Sequence, residues 1–186
     1  MVIFSAPSGA GKTTLVHAVM NSGFNLEFSV SACSREKRNN ETEGKDYYFI
    51  GIEGFRKKID EGAFLEWEEV YKDHYYGTLR EEVDRILRKG RNVIFDVDVY
   101  GGLNIKRHYG NKALAIFVMP PTIGVLEDRL RTRSSDSEES IRKRLDKARH
   151  EIGKADEFDV TIINDDLETA IAEAIKVVSD FLDSHA

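Results

Sequence analysis

The fold of this chain is decided by the stretch Val2-Ile3-Phe4-Ser5-Ala6-Pro7-Ser8-Gly9-Ala10-Gly11-Lys12-Thr13-Thr14. An apolar run, Val2–Phe4, comes before a glycine-containing loop, and an apolar-patterned helix opens at Leu15. Strand, glycine loop, Lys-Thr and helix follow one another in this order in a phosphate-binding P-loop. An ordinary glycine-rich turn between a strand and a helix would need no Lys-Thr pair. The stretch therefore predicts a P-loop.

The residue types of the loop match the chemistry of a polyphosphate. Gly9 and Gly11 let backbone N–H groups turn inward around an anion, and the helix N-terminus adds further donors and a positive dipole end. Lys12 can reach the outer phosphates, and the Thr13 hydroxyl can ligate Mg²⁺. The strict pattern begins with glycine, whereas Ala6 stands there, so the backbone at that position must accept a Cβ.

The length and composition predict one compact globular domain. A chain of 186 residues can bury a substantial core, and no apolar run approaches the ~20 residues that span a bilayer. The net charge of −6 argues against a nucleic-acid binder. The single cysteine, Cys33, fits a reducing compartment, and the five scattered histidines suggest no metal site. The first strand follows Met1 directly, which leaves no room for a signal peptide and favours the cytoplasm.

Short β-branched runs alternate with helical patterns, which predicts a central parallel sheet flanked by helices. The expected strands of that sheet are Val2–Ala6, Val93–Val97, Ala113–Met119 and Val160–Asn164. The expected helices are Thr13–Asn21, Leu79–Lys89, Val99–Arg107, Ile123–Arg131, Ser137–Lys154 and Leu167–Leu182. In the last of these helices, an apolar stripe should close the core; it consists of Leu167, Ile171, Ile175, Val178 and Leu182.

Residues 33–78 break this alternation. Two short strand-like pieces, Tyr47–Ile50 and Phe64–Val70, flank one short helix, Gly54–Glu61, in a segment rich in tyrosine, arginine and acids. The pattern indicates an insert mounted on the sheet. A second irregular segment, Thr132–Glu139, is polar and serine-rich and has arginines on both sides.

Two acids stand in apolar surroundings, where a carboxylate needs a partner. Glu66 lies within Phe64-Leu65-Glu66-Trp67, and Asp96 ends the run Val93-Ile94-Phe95. Guanine offers adjacent N1–H and 2-amino donors to a carboxylate, whereas adenine would leave such acids unpaired. A structural salt bridge with a nearby arginine explains the same residues equally well, so both interpretations stay open.

Two groups of arginines suit phosphate binding. Arg35 and Arg38 are spaced to capture a monophosphate, with hydroxyl donors from Tyr47 and Tyr76. A solvated charged loop is the alternative for this basic run.

Farther along the chain, Arg133 lies at the start of the second irregular segment and Arg144 follows that segment. Arg144 lies beside the apolar stripe that Ile141 and Leu145 form, so it is better placed to face a cleft than its basic neighbours. Together with Arg133 it could clamp a transferring phosphoryl group. Surface charge is the alternative interpretation for both arginines.

These motifs, in this order, resemble the guanylate kinase family nearly from end to end. The resemblance rests on the P-loop and on the later motifs Ser29-Val30-Ser31-Ala32-Cys33-Ser34-Arg35-Glu36-Lys37-Arg38, Gly44-Lys45-Asp46-Tyr47-Tyr48-Phe49, Phe64-Leu65-Glu66-Trp67, Tyr75-Tyr76-Gly77-Thr78, Asp96-Val97-Asp98 and Ile163-Asn164-Asp165-Asp166. Three positions depart from the usual pattern, namely Cys33, Lys37 and Tyr100.

The resemblance implies a P-loop kinase with a single domain, 1–186. Its core would be 1–32, 79–131 and 156–186, with a small mixed α/β GMP-binding insert, 33–78, and a helical lid, 132–155. It also implies transfer of the γ-phosphoryl group of ATP to GMP, and to dGMP, with Mg²⁺ as cofactor. The partners would be these small molecules, with no nucleic acid or membrane, and the protein would be a monomer or homodimer.

The resemblance also implies residue roles. Catalysis would involve Lys12, Arg35, Arg38, Arg133 and Arg144. ATP would contact Ala6, Pro7, Ser8, Gly9, Ala10, Gly11, Lys12, Thr13, Thr14, Arg133 and Arg144, with Asn164 and Asp165 beside the adenine. GMP would contact Ser31, Arg35, Arg38, Tyr47, Glu66, Tyr76, Thr78 and Asp96. Thr13 would bind the metal, and Asp98 would reach it through water.

Two alternatives belong to other functional classes. One is a non-catalytic binding module with the same fold, but such modules usually have a damaged P-loop, and Gly11-Lys12-Thr13 is intact here. The other is a P-loop kinase for a different small phosphate acceptor. A GTPase is disfavoured because the chain has no Asn-Lys-x-Asp sequence.

Overall fold

The computed structural model describes residues 1–133 and 137–185, and of Arg133 the backbone alone. Nine strands and seven α-helices occur in these two ranges, with short 3₁₀ turns at Gly110–Lys112 and Ala155–Glu157. In chain order the elements are β1 (Val2–Ser5), α1 (Lys12–Met20), β2 (Leu26–Phe28), β3 (Ala32–Cys33), β4 (Tyr48–Phe49), α2 (Gly51–Asp60), β5 (Phe64–Tyr71), β6 (His74–Leu79), α3 (Arg80–Arg88), β7 (Asn92–Val97), α4 (Val99–Tyr109), β8 (Leu114–Met119), α5 (Ile123–Arg133), α6 (Glu138–Ile152), β9 (Val160–Ile163) and α7 (Leu167–Asp183).

The chain forms two compact units, and the first combines residues 1–24 with 96–186. In this unit β8 pairs in parallel with β1 on one side and with β9 on the other. Strands β1 and β8 are buried and rich in β-branched residues, as parallel strands covered by helices are. Helix α4 packs on β1 and β8, α7 packs on α1, and α5 packs on α6.

The second unit comprises residues 25–95. Strands β2 and β7 pair in parallel, and a separate sheet has the order β4-β3-β6-β5. In that sheet β5 and β6 form an antiparallel hairpin, and β3 pairs antiparallel with β6 and parallel with β4. Helix α2 contributes Phe55 to a core with Phe64 and Tyr75, whose rings stack on it at 4.3 and 5.5 Å.

The parallel strands and surrounding helices confirm the α/β fold class. The predicted strands and helices occur within a few residues of their expected bounds, although α2 begins at Gly51 instead of Gly54. The sequence patterns did not identify β2, β3 or β6 as strands. β6 contains Gly77 and no alternation of apolar and polar residues, so its strand conformation depends on its pairing with β3 and β5.

The predicted buried stripe of α7 is confirmed at Val178 but wrong at Leu167, and Ile171, Ile175 and Leu182 are only half-buried. Its buried residues are Ala170, Ala174 and Val178, whereas Leu167 is 44% exposed. Helix α7 packs on α1, and two small residues, Ala170 and Ala174, are fully buried in it. The apolar pattern predicted an amphipathic helix, but it did not predict which face of that helix is most buried.

The two compact units do not test the predicted bounds of the core, insert and lid. Residues 25–95 include the whole expected insert, 33–78, together with β2, α3 and most of β7. The insert and lid bounds therefore stay predictions. Within the described ranges, no helix is both long enough and apolar enough to cross a membrane.

Candidate nucleotide sites

The P-loop joins β1 to α1 in the first unit. Gly9 and Gly11 have φ angles of 93° and 92°, which favour glycine, and Gly11 is the N-cap of α1. A Cβ on Gly11 would lie 2.3 Å from Asn164 Nδ2, so no side chain fits there without movement. Among the described residues, Asp73 is the one non-glycine residue with a positive φ angle, so φ at Ala6 is not positive. The backbone at buried Ala6 therefore accepts a Cβ, as the sequence required.

The Lys12 and Thr13 side chains converge on one carboxylate. Lys12 Nζ donates to Asp96 Oδ1 and, at 2.8 Å, to the Val97 carbonyl. The Thr13 hydroxyl donates to Asp96 Oδ2 at 2.8 Å. The Lys12 and Asp96 side chains are 16% and 15% exposed, so the pair is partly shielded from solvent. Lys12 and Thr13, which were predicted to contact phosphate and metal, thus both donate hydrogen bonds to Asp96, which was predicted to bind guanine.

Asp98 has different contacts. It is the N-cap of α4, and its Oδ1 accepts a hydrogen bond of 2.8 Å from Gly101 N–H. Its carbonyl accepts from the Ser5 hydroxyl at 2.9 Å. Both acids lie at the end of β7, but Asp96 contacts Thr13 whereas Asp98 caps a helix. These contacts favour Asp96 over Asp98 as the acid beside the predicted metal ligand.

Asn164 supports the P-loop from the end of β9. Its amide Nδ2 donates to the Ala10 carbonyl at 2.8 Å, and the residue is 4% exposed. Arg129 of α5 donates to the Asn164 carbonyl at 3.0 Å and makes a longer contact, 3.5 Å, with the Ala10 carbonyl. Asp165 is exposed beside them. The sequence indicated neither the contact of Asn164 with Ala10 nor any role for Arg129, because both depend on the packing of α5 and β9 against the loop.

The α5–α6 pair contains the two arginines predicted to clamp phosphate. Arg144 is half-buried whereas Arg142 and Lys143 are exposed, in agreement with the helical position inferred for Arg144. The side chain of Arg133 lies outside the described residues. An apolar cluster joins the two helices through Leu126, Leu130, Ile141, Leu145 and Ala148. Ser137 caps α6 by accepting a hydrogen bond from Ser140 N–H.

The second unit gathers the aromatic and basic residues predicted for a monophosphate. The Arg35 guanidinium lies 5.1 Å from the ring centre of Tyr47 and 5.4 Å from that of Phe49. Its Nε donates to the Tyr76 hydroxyl at 3.1 Å, and Tyr76 meets Tyr47 edge to face at 5.7 Å. The structure therefore brings Arg35, Tyr47 and Tyr76 together. Arg38 is exposed, and Ser31 is half-buried.

Glu41 holds Arg35 in place, a contact that the sequence analysis missed. Both terminal nitrogens of Arg35 donate to the Glu41 carboxylate at 2.6 Å, and each side chain is 12% exposed. Glu41 also accepts from Arg38 N–H at 2.9 Å. The hydrogen bonds from Arg35 lower the pKa of Glu41 to about 2 and raise the pKa of Arg35. An acid six residues after an arginine in a basic run was the available signal.

Glu66 and Thr78 form a buried pair on the β5–β6 hairpin. The Thr78 hydroxyl donates to Glu66 Oε1 at 2.6 Å, and the two residues are 8% and 0% exposed. Cys33 is buried in the same unit, and burial raises its pKa to about 11, which disfavours a reactive thiolate.

The donor set near the P-loop suits a hard cation. Mg²⁺ prefers oxygen ligands and keeps several waters, so it needs few protein groups. The Thr13 hydroxyl and the Asp96 carboxylate are such oxygens and lie in contact with each other. No cluster of three or more potential His, Cys, Asp or Glu ligands occurs among the described residues. The residues therefore fit a metal held jointly with phosphates better than a metal held by protein alone.

The α/β fold, with a P-loop at the end of its first strand and lysine and threonine on one carboxylate, defines a P-loop nucleotide-binding protein. Residues 1–182 match the family model described as guanylate kinase, and the chain belongs to that family. It is 51% identical to a guanylate kinase of Bacteroides thetaiotaomicron, over 98% of this chain and 89% of that protein. It is 49% identical to a guanylate kinase of Porphyromonas gingivalis, over 98% and 97% of the two chains.

The fold agrees with that of a solved guanylate kinase. The crystal structure of guanylate kinase from Anaplasma phagocytophilum superimposes with a TM-score of 0.78 at 27% identity, covering 97% of this chain and 84% of that one. The family resemblance inferred from the motifs is thereby confirmed, and the chain is a nucleoside monophosphate kinase by family.

Proposed function

We propose that this guanylate kinase transfers the γ-phosphoryl group of ATP to GMP, giving ADP and GDP, and that it accepts dGMP less well. The observation that carries the proposal is the intact P-loop, whose Lys12 and Thr13 side chains converge on Asp96. A binding module that had lost catalysis would have no need for this arrangement. Neither that alternative nor a kinase for another acceptor gains support from the relatives or from the site.

On the donor side, the loop Ala6–Thr14 would hold the phosphates of ATP through backbone N–H groups and Lys12. Arg133 and Arg144 would neutralise charge on the transferring group. The adenine would lie near Asp165, while Asn164 is held by Ala10 and would act mainly by shaping the loop. Mg²⁺, when bound, would supply positive charge to the phosphates, and Thr13 would be its protein ligand.

Asp96 could act at either of two places, at the guanine base or at the phosphates and metal. The resemblance assigns it to guanine, but both of its oxygens accept hydrogen bonds from P-loop side chains. We therefore propose that Asp96 works at the phosphate and metal end. Asp98, predicted to reach the metal through water, caps α4 with one oxygen.

On the acceptor side, Arg35, Arg38, Tyr47 and Tyr76 would bind the phosphate of GMP. The contact of Arg35 with Tyr76 and its position over the Tyr47 ring support this assignment. In the same unit Glu66, Thr78 and Ser31 would bind the guanosine part. The Glu66 carboxylate would accept from guanine N1–H and the 2-amino group, and the Thr78 hydroxyl bond would fix its orientation.

The reaction needs little acid–base chemistry from the protein. The acceptor is a phosphate oxygen that is already anionic near neutral pH, so no general base has to remove a proton from it. Lys12 and the arginines would orient the two nucleotides and balance the charge that spreads over the transferring group. Exclusion of water would prevent hydrolysis of ATP.

We also propose a cytoplasmic location and a monomeric or homodimeric state.

A coupled ADP-release assay tests the proposal. It would use ATP and Mg²⁺ with GMP, dGMP, AMP, CMP and UMP as acceptors. Turnover with GMP, and weaker turnover with dGMP, is the expected result. Binding of GMP without turnover of any acceptor would favour the binding module, and turnover of another acceptor alone would favour a different kinase.

A further inference from the structure

Glu82 is a buried acid outside the residues assigned so far. It lies in the first turn of α3 and is 3% exposed. A carboxylate at this depth destabilises a fold unless its oxygens are satisfied. Burial raises the pKa of Glu82, but the hydrogen bonds that it accepts outweigh burial and leave the pKa lowered, so it is ionised at neutral pH.

Four donors satisfy the Glu82 carboxylate. Arg85 Nε and Nη2 donate to its two oxygens at 2.8 Å each. The other two donors come from distant parts of the second unit, namely Val30 N–H at 3.2 Å and the Tyr48 hydroxyl at 3.1 Å. Because a carboxylate accepts about four hydrogen bonds and donates none, glutamate matches this set and glutamine does not.

The two distant donors are sequence neighbours of predicted GMP ligands. Val30 precedes Ser31, and Tyr48 follows Tyr47. The two segments are also joined directly, because Tyr48 N–H donates to the Ser31 carbonyl at 2.9 Å. Glu82, Val30, Ser31 and Tyr48 thus form a closed ring of covalent and hydrogen bonds that fixes Ser31 and Tyr47 relative to each other.

We propose that Glu82 is a positioning residue for the GMP site, acting through Val30 and Tyr48 on Ser31 and Tyr47. The inference rests on the proposed function. A purely structural role would make Glu82 equivalent to Glu27, a second partially buried acid that binds Arg85, at 2.5 Å. Glu27 also pairs with Lys89 and Arg91, and its side chain holds neither of the GMP segments.

The test compares three variants in the ADP-release assay and in a direct GMP-binding titration. Glu82→Gln leaves at least two donors facing an amide, which we expect to raise KM and Kd for GMP about tenfold. Tyr48→Phe removes one neutral hydrogen bond, with an expected rise of about threefold. The KM for ATP and the kcat at saturating GMP should stay within about twofold of wild type, because neither depends on the ring.

Glu27→Gln is the matched control, with a lower melting temperature but an unchanged KM for GMP as the expected result. Wild-type protein without GMP turnover would refute the proposed function itself. Wild-type turnover combined with an unchanged KM in folded Glu82→Gln would overturn the positioning role. If that variant does not fold, an unchanged KM in Tyr48→Phe would overturn it, as would an equal rise in KM in Glu27→Gln.

Discussion

Replacement of Glu66 by glutamine separates base recognition from general binding. Glutamine has almost the same shape, so it can still accept the 2.6 Å hydrogen bond from Thr78 inside the 8% exposed site. Its amide group, however, replaces one anionic acceptor by a donor. That donor would face a donor of guanine, since N1–H and the 2-amino group both need acceptors.

The expected cost follows from the loss of one charge-assisted hydrogen bond. Such a bond is worth about 1.5–3 kcal/mol, which corresponds to a decrease of about 10–150-fold in kcat/KM for GMP. AMP should lose nothing, because adenine has an acceptor at N1. The ratio of kcat/KM for GMP over AMP should therefore fall by at least the same factor.

The measurement is kcat/KM for both acceptors in the ADP-release assay, together with the melting temperature. Glu69→Gln is a suitable control, since Glu69 lies on the same strand but is exposed. An equal loss for GMP and AMP would mean that Glu66 supports the hairpin and does not read the base. A value for GMP within about twofold of wild type would refute the reasoning altogether.

Three further predictions concern the P-loop and the Arg35 pair. Lys12→Ala should lower kcat about 10²–10³-fold with little change in the KM for GMP, and steady-state kinetics would show a wrong assignment if KM alone changed. Gly11→Ala should lower both the melting temperature and ATP affinity more than Gly23→Ala, because both glycines have positive φ but only Gly11 has Asn164 at 2.3 Å from an added Cβ; equal losses would contradict the contact. Glu41, whose pKa is lowered from 4.5 to about 2, stabilises the fold above pH 4.5, and that contribution is lost as the pH falls toward 2. Chemical unfolding from pH 7 to 2.5 should therefore show a shallower decline in unfolding free energy for Glu41→Gln than for wild type, and parallel curves would oppose the Arg35 pairing.

Local features of the chain could be predicted from residue types and their spacing. The P-loop was predictable because a glycine loop, Lys12 and Thr13 lie within a few residues between a strand and a helix. The grouping of Arg35 with Tyr47 and Tyr76 was expected from the motifs, and the structure brings these three side chains together. The position of Arg144 on the flank of an apolar stripe followed from helical periodicity and agrees with its partial burial.

Features that depend on contacts between residues distant in the sequence could not be predicted from residue types and spacing. Asp96 and Asp98 are two residues apart with the same side chain, and packing of β7 beside the P-loop decides that Asp96 meets Thr13 while Asp98 caps α4. Which face of α7 is buried depends likewise on the packing of α7 on α1.

By itself, then, the sequence determined the P-loop, the α/β class and the family, because these depend on short-range spacing and on motifs in a fixed order. The tertiary structure alone decided which acids are paired, with Glu41 on Arg35, Glu66 on Thr78 and Glu82 on Val30 and Tyr48. A buried carboxylate takes whichever donors the fold brings within hydrogen-bonding distance, and those donors lie up to 52 residues away along the chain.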